Sequence, residues 1–359
     1  MGRPGQILST ARRLARRLAA MTTTDATTTR TLGRNGLEVP AVGYGAMVLA
    51  HGIYGTNDDA RSIETLRHAI DAGATFLDSS DAYGAGDNER LIGRAIAGRR
   101  EQVQVATKWG LTGPAGTSRR VAASYDNEIW VDARPERARE AAEASLRRLG
   151  VEAIDLWYLH FPDPAVPIVE SVGAMAELVA EGKVRHLGLS NATADQAIEA
   201  HRVHPLAAVQ AEYSLWTRGP ERELLPALSE LGVGLVAWGP LGSGFLAGSA
   251  EQIGAPGEDF RTNAPRFRPE NLAANRDRFA PLAGIAEQLG ITRAQLALAW
   301  LLRDDSSLPP IVPIPGTRTA ARVDENLAAA RVALSAETLA QLERIAPPGA
   351  AAGEPLLER

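Results

Sequence analysis

The feature that most constrains this chain is an eightfold alternation. From about residue 41, short apolar runs recur and stretches with helical spacing separate them. The runs are "AVGYGAM" (41–47), "TFLDSS" (75–80), "VQVATK" (103–108), "AIDLWYLH" (153–160), "VRHLGLSN" (184–191), "AAVQAEYS" (207–214), "GLVAWGPL" (234–241) and "PPIVPIPG" (309–316). Short, continuously apolar runs read as parallel strands buried on both faces. Eight such strand–helix units predict an α/β fold, a (β/α)8 barrel of the TIM type. Ahead of the first run, the Asn-Gly of "TLGRNGLEVP" signals an N-terminal β-hairpin.

A doubly wound sheet is the rival. It would carry a glycine-rich dinucleotide fingerprint after an early strand. The nearest match, "GSGFLA" at Gly242–Ala247, follows the seventh run, and Asp259 beyond it is not at a strand end. It reads instead as a loop at the barrel mouth. Two connections are long, residues 111–133 and 242–280. Loops of that length are usually functional, and both are expected to rise from the C-terminal face, where barrel active sites lie. The chain divides into an extension (1–30), a barrel (31–346) whose last element is a short helix in "SAETLAQLERI", and a tail (347–359).

Composition narrows the function. The 359 residues are 45% hydrophobic and 23% charged, ample for a core. A net charge of −5 offers no general basic surface for nucleic acid. Cysteine is absent, which excludes disulfides, thiolate catalysis and cysteine metal sites. The six histidines (His51, His68, His160, His186, His201, His204) include no HExxH pair, so no metal is expected. No apolar run reaches the roughly 18 residues of a membrane span, and a cytoplasmic location without membrane partners is expected. Residues 1–20 are arginine-rich and lack acids, a pattern open to a transit-peptide or membrane-surface reading. The polar run from Met21 favours Met21 as an alternative start, with residues 1–30 poorly ordered.

Polar residues at the ends of buried strands need a reason. The second run carries Asp78 with Tyr83 just beyond, the third ends in Lys108 and the fourth in His160. In a barrel these ends ring one mouth. Taken singly, each has a structural use as a cap, ion-pair partner or packing residue. Together they suit proton transfer to a carbonyl oxygen. A lysine ammonium favours phenolate and lowers a tyrosine pKa from about 10. A carboxylate holds that lysine, and a histidine donor binds the oxygen on which charge develops.

At this point the sequence resembles the aldo-keto reductase family, from about Thr31 to Ala346. "FLDSSDAYGAGDNERLIGRAI", "VATKWG", "IDLWYLHFPD", "GKVRHLGLSN", "VQAEYSLW" and "PIPGTRTAARVDENL" occur in the family's order. The resemblance implies NADPH-dependent reduction of aldehydes or ketones, with NADH as an alternative cofactor. It implies Tyr83 as general acid, Lys108 as its activator, Asp78 as the partner of Lys108 and His160 as the group orienting the carbonyl. Members that reduce C=C bonds place glutamate at the histidine position, so His160 points to C=O.

Cofactor contacts are implied in the same way. Ser190, Asn191 and Gln210 match the groups holding the nicotinamide carboxamide, and Trp238 the aromatic stacked on its ring. Gly239, Leu241 and Ser243 match the pyrophosphate loop; Gly239 replaces a common serine and can contribute only backbone. Gly316, Thr317, Arg318 and Arg322 match the 2′-phosphate and adenosine contacts, and Glu325 and Asn326 the adenine contacts. Some members have lysine at the Gly316 position. Helix N-termini and arginines suit phosphate on general grounds. Met47, Tyr54, Trp109 and an aromatic of the 111–133 loop, Tyr125 or Trp130, are expected to line a pocket for apolar carbonyls. Two alternatives stay open: a Schiff-base lyase using Lys108, and a regulatory subunit that binds cofactor with little turnover.

Overall fold

The computed structural model describes residues 28–34, 36–114, 117–124, 127–249 and 259–355. In chain order the strands are β1 (Thr29–Leu32), β2 (Leu37–Pro40), β3 (Tyr44–Gly45), β4 (Phe76–Asp78), β5 (Gln104–Trp109), β6 (Leu111–Thr112), β7 (Arg119–Ser124) and β8 (Asn127–Val131). They continue with β9 (Ile154–Leu159), β10 (Val184–Ser190), β11 (Leu206–Glu212), β12 (Gly234–Trp238) and β13 (Ile311–Pro313). Eight of them form one parallel sheet in the order β3-β4-β5-β9-β10-β11-β12-β13. The Gly43 amide donates to the Pro313 carbonyl at 2.9 Å and joins its two edges. The expected (β/α)8 barrel is therefore the fold.

The helices are α1 (Asp59–Asp71), α2 (Asp87–Ile96), α3 (Pro135–Leu149), α4 (Ile168–Ala180), α5 (Ala194–Val203) and α6 (Leu224–Leu231). Three lie between β12 and β13: α7 (Pro269–Phe279), α8 (Pro281–Leu289) and α9 (Arg293–Leu301). Then come α10 (Ala320–Ala328) and α11 (Ala336–Ile345). Local chemistry sets several ends. Helix α3 has proline in its first turn and stops at Gly150, at φ 66°. Helices α5 and α9 open on capping boxes, Thr193 with Gln196 and Thr292 with Gln295. Among the described residues no helix is long and apolar enough to cross a membrane.

The core has two parts. Outward-facing strand residues such as Val105, Trp157 and Leu189 pack against the helices. Inside the barrel, Phe76, Ala106, Leu156 and Val236 pack with Leu32, Leu37 and Val39 of the N-terminal hairpin. The predicted hairpin forms, with Leu32 opposite Leu37, and it plugs one end of the barrel. The first described strand begins at Thr29, within the segment expected to be an extension; residues 1–27 lie outside the described residues.

The structure refines the long connections. Residues 111–133 are not an irregular loop: β6, β8 and β7 form a small antiparallel sheet there. The second connection ends earlier than expected, because α7 begins at Pro269. The edge strands are also shorter than their apolar runs. Their backbones meet where glycine leaves room: a Cβ on Gly45 would sit 2.5 Å from the Ile314 carbonyl oxygen, and one on Gly316 2.6 Å from that of Gly45. Tyr44 reinforces this seam by donating its hydroxyl proton to the Thr317 carbonyl.

If the hairpin is part of the core, Leu32→Ala should lower stability by about 2–5 kcal/mol. The urea midpoint should fall with little change in slope; an unmoved midpoint would make the hairpin a mere appendage.

Candidate active site

The sheet direction places the ends of β4, β5 and β9 side by side at the mouth. Asp78 closes β4, Lys108 is next to last in β5, and His160 follows β9. Tyr83 begins a turn whose amide donates to the Ser80 carbonyl at 3.2 Å, bringing its ring back over the strands. Lys108 Nζ donates to Asp78 Oδ1 at 2.5 Å, to the Ser79 carbonyl at 2.7 Å and to Tyr83 Oη at 3.4 Å. The Tyr83 and His160 rings meet edge to face, 5.9 Å apart. The four side chains predicted from strand ends are thus one cluster.

Burial governs its electrostatics. Lys108 is 0% exposed, yet its pKa is raised: burial alone would lower it, and Asp78 and Tyr83 outweigh burial. Burial pushes Asp78 up while Lys108 and Gln210 pull it back. Tyr83 differs from expectation. Burial holds its pKa above the ordinary phenol value, with the Lys108 charge offsetting only part of the rise. The hydroxyl is therefore protonated at rest, the state an acid needs. Burial, and then Lys108, keep His160 well below its usual value, so its imidazole is neutral.

A second layer holds this cluster. Gln210 Nε2 donates to Asp78 Oδ2 at 2.7 Å. Asn191 has a left-handed backbone at φ 55°, a conformation asparagine tolerates better than most residues. Its Nδ2 donates to the His160 carbonyl at 3.2 Å and to Ser190 Oγ at 3.0 Å. Its Oδ1 accepts the Trp238 indole N–H at 3.2 Å. One side chain thus ties β9, β10 and β12 together.

These residues line a cavity of about 620 Å³, a usual size for a small-molecule site. Lys108 lies beneath the lining rather than in it. With its ammonium charged and fully engaged, it is unsuited to Schiff-base chemistry. Asp78, Tyr83, His160, Ser190, Asn191, Gln210 and Trp238 occupy one part of the wall. Gly239, Leu241 and Ser243 continue it, followed by Gly316, Thr317, Arg318, Arg322 and Asn326. Ser243 lies between Gly242 and Gly244, all three at positive φ (52°, 57° and 95°). The "GSGFLA" stretch is thus a tight turn at the mouth, as expected. Thr319 caps α10 without a side-chain bond to its first turn. Arg322, exposed in that turn, has no ion-pair partner among the described residues. A helix N-terminus, a free arginine and a glycine-lined wall fit a dinucleotide phosphate.

Three predicted positions differ. Glu325 does not line the cavity; its carbonyl accepts from Gln295 Nε2 at 3.2 Å. Trp109 is 1% exposed and stacks on Trp157, with ring centroids 5.3 Å apart, on the helix side of β5. Trp130 is also outside the lining, its indole donating to Glu128 Oε2 at 3.1 Å, whereas its neighbour Ile129 is in it. Alternation along a strand explains both cases: Lys108 and Ile129 face inward, so Trp109 and Trp130 do not. Met47 lines the cavity, joined by Leu111 and Phe161, which sequence reasoning missed. Tyr125 lies outside the described residues. Tyr54 lines the cavity beside the phosphate-type turn, its hydroxyl bonded to Ser243 and its ring under the Arg261 guanidinium at 5.4 Å. Arg318 is partly committed, donating to the Val48 and Tyr54 carbonyls at 3.0 and 2.6 Å. Arg261 could not be found from the sequence, because folding brings it to the wall through Asp259, the Ser243 carbonyl and the Tyr54 ring.

Comparison with known proteins agrees with this geometry. Residues 41–347 match the sequence model of the aldo/keto reductase family. A probable aldo-keto reductase 1 of Glycine max is 39% identical over 323 residues, covering 90% of each chain. The solved structure of a glycerol dehydrogenase from Gluconobacter oxydans superposes with a TM-score of 0.74 at 29% identity, covering 89% of this chain and 95% of that one. An aldo/keto reductase from Klebsiella pneumoniae in complex with NADP and acetate superposes at 0.67 with 28% identity, covering 89% and 96%.

Lys108→Met would leave Asp78 buried without its cation. At pH 7 the loss should be about 3–5 kcal/mol. Without Lys108 the folded-state pKa of Asp78 lies above the unfolded value, so the folded protein takes up the proton first. The deficit should therefore shrink as pH falls through that raised value and grow as pH rises. Denaturant titrations of both proteins across pH check this; a deficit independent of pH would mean Asp78 is not the stranded charge.

Proposed function

This chain belongs to the aldo/keto reductase family, whose members are NAD(P)H-dependent oxidoreductases acting on carbonyl and alcohol groups, and from that premise we propose that it reduces aldehydes and ketones with NADPH, using Tyr83 as general acid. The observation that carries the reading is the Tyr83 hydroxyl in the cavity wall, bonded to a buried ammonium and set against a neutral histidine. NADPH draws support from the NADP complex of the Klebsiella relative and from the residues lining the long arm of the cavity.

Ser190 and Gln210 would hold the carboxamide, and Trp238, oriented by Asn191, would face the nicotinamide. The turn at Gly239, Leu241 and Ser243 would receive the pyrophosphate. Thr317, Arg318 and Arg322 would receive the 2′-phosphate, and Asn326 the adenine. The cofactor, when bound, would supply the hydride to the carbonyl carbon. His160 donates a hydrogen bond to the carbonyl oxygen and orients it. Tyr83 gives that oxygen its proton, and Lys108 stabilises the phenolate that forms. In the reverse direction the same groups oxidise an alcohol, with cofactor ratios setting the direction. Met47, Leu111, Ile129 and Phe161 present an apolar wall beside Tyr83 and His160, which suits uncharged carbonyl compounds.

The first test is absorbance at the nicotinamide band with NADPH and a panel of aldehydes and ketones. Tyr83→Phe should lower turnover by about 10²–10⁴-fold and leave NADPH affinity nearly unchanged; equal turnover in that variant would remove Tyr83 as the acid. Arg322→Ala should raise the Kd of NADPH roughly tenfold or more, the worth of a charge-assisted hydrogen bond, and the Kd of NADH far less. Equal losses would take Arg322 out of 2′-phosphate recognition.

A further inference from the structure

We propose that Ser80 is a positioning residue that sets the tautomer of His160: its hydroxyl donates to Nδ1, fixing the ring proton on Nε2 and making the remaining nitrogen a donor. The proposal rests on the reading that His160 binds the carbonyl oxygen.

Ser80 Oγ is fully buried and has three polar neighbours. His160 Nδ1 lies at 3.0 Å, Asp81 Oδ1 at 3.3 Å, and the Ala82 amide donates into it at 3.2 Å. A serine hydroxyl has one proton and two lone pairs. Ala82 takes one lone pair, so the proton goes either to His160 or to Asp81. If it goes to Asp81, Nδ1 must carry the ring proton and donate to Oγ. Nε2 is then bare and repels a carbonyl oxygen. If it goes to Nδ1, the neutral ring carries its proton on Nε2 and can donate.

Geometry favours the second arrangement, because the contact to His160 is the shorter. Surroundings favour it too. A doubly protonated ring is excluded by burial and the Lys108 charge. The competing acceptor is weakened as well. Burial, then the buried Glu89, push Asp81 up to about 7, against the pull of Arg148. The ring cannot readily turn to exchange its nitrogens. It stacks on Phe161 at 5.3 Å and meets Tyr83 edge-on. Its Nε2 has no protein partner among the described residues.

The test uses full-length protein with 15N-labelled histidine. Long-range 1H–15N spectra distinguish protonated from bare ring nitrogens, and the His160 signals are those lost in His160→Gln. The wild type and Ser80→Thr should show the Nε2–H form. Ser80→Ala should shift to the Nδ1–H form or a mixture. Its kcat for aldehyde reduction should fall about tenfold, the loss of about one hydrogen bond, with NADPH affinity unchanged and the rate restored in Ser80→Thr. A wild-type spectrum showing Nδ1–H would overturn the proposal without any variant. So would a Ser80→Ala protein with the wild-type tautomer and rate. If the wild type reduces no carbonyl, the functional reading fails, and the spectra still decide the role of Ser80.

Discussion

The site depends on one buried ion pair. Lys108 and Asp78 are both almost completely removed from water, where a lone charge would cost several kcal/mol. The pair persists because its valences are filled. The three N–H groups of Lys108 meet Asp78, the Ser79 carbonyl and Tyr83, and the second Asp78 oxygen accepts from Gln210. An ammonium satisfied in this way has little freedom to move, and neither does the hydroxyl it touches. Orientation of Tyr83 follows from the same bonds that make the buried charges tolerable, so structure and chemistry share one set of contacts.

Much of this is legible in the sequence. Eight short apolar runs alternating with helical stretches pointed to eight strands, since a sheet covered on both faces uses such runs. Asp78, Lys108 and His160 stood out because a polar residue closing a buried strand needs a purpose. The mouth was less legible. The apolar run at 41–47 yields only Tyr44–Gly45 as strand, and that at 309–316 only Ile311–Pro313. Apolarity reports burial, not ladder bonding. The aromatic character of Trp109 and Trp130 suggests pocket walls, but residue type says nothing about direction. Parity did: Lys108 points inward, so its neighbour cannot. For Trp130 the facing depends on how β8 pairs with β6 and β7, which one sequence does not reveal. Leu111 and Phe161 needed the folded loops.

The expectation for Tyr83 was incomplete for a related reason. A nearby lysine does favour phenolate, but the chain could not show how dry the site is. Burial outweighs the ammonium and keeps the proton on the hydroxyl. The same dryness deprotonates His160. Burial thus leaves both groups uncharged, the phenol with its proton and the imidazole with one.

The seam between β3 and β13 has a further consequence. Both strands are short, two and three residues long, and the backbones of Gly45 and Gly316 approach each other closely there. Gly45, Ile314, Gly316 and Thr317 of this joint also line the cavity. A molecule lying along that arm touches both rims of the sheet at its thinnest point. Binding energy released there is added to the folded state alone, so an occupant acts as a clasp on the cylinder. The closing seam of the barrel and its binding groove are one place, so whatever fills the groove also adds to the resistance of the barrel to opening.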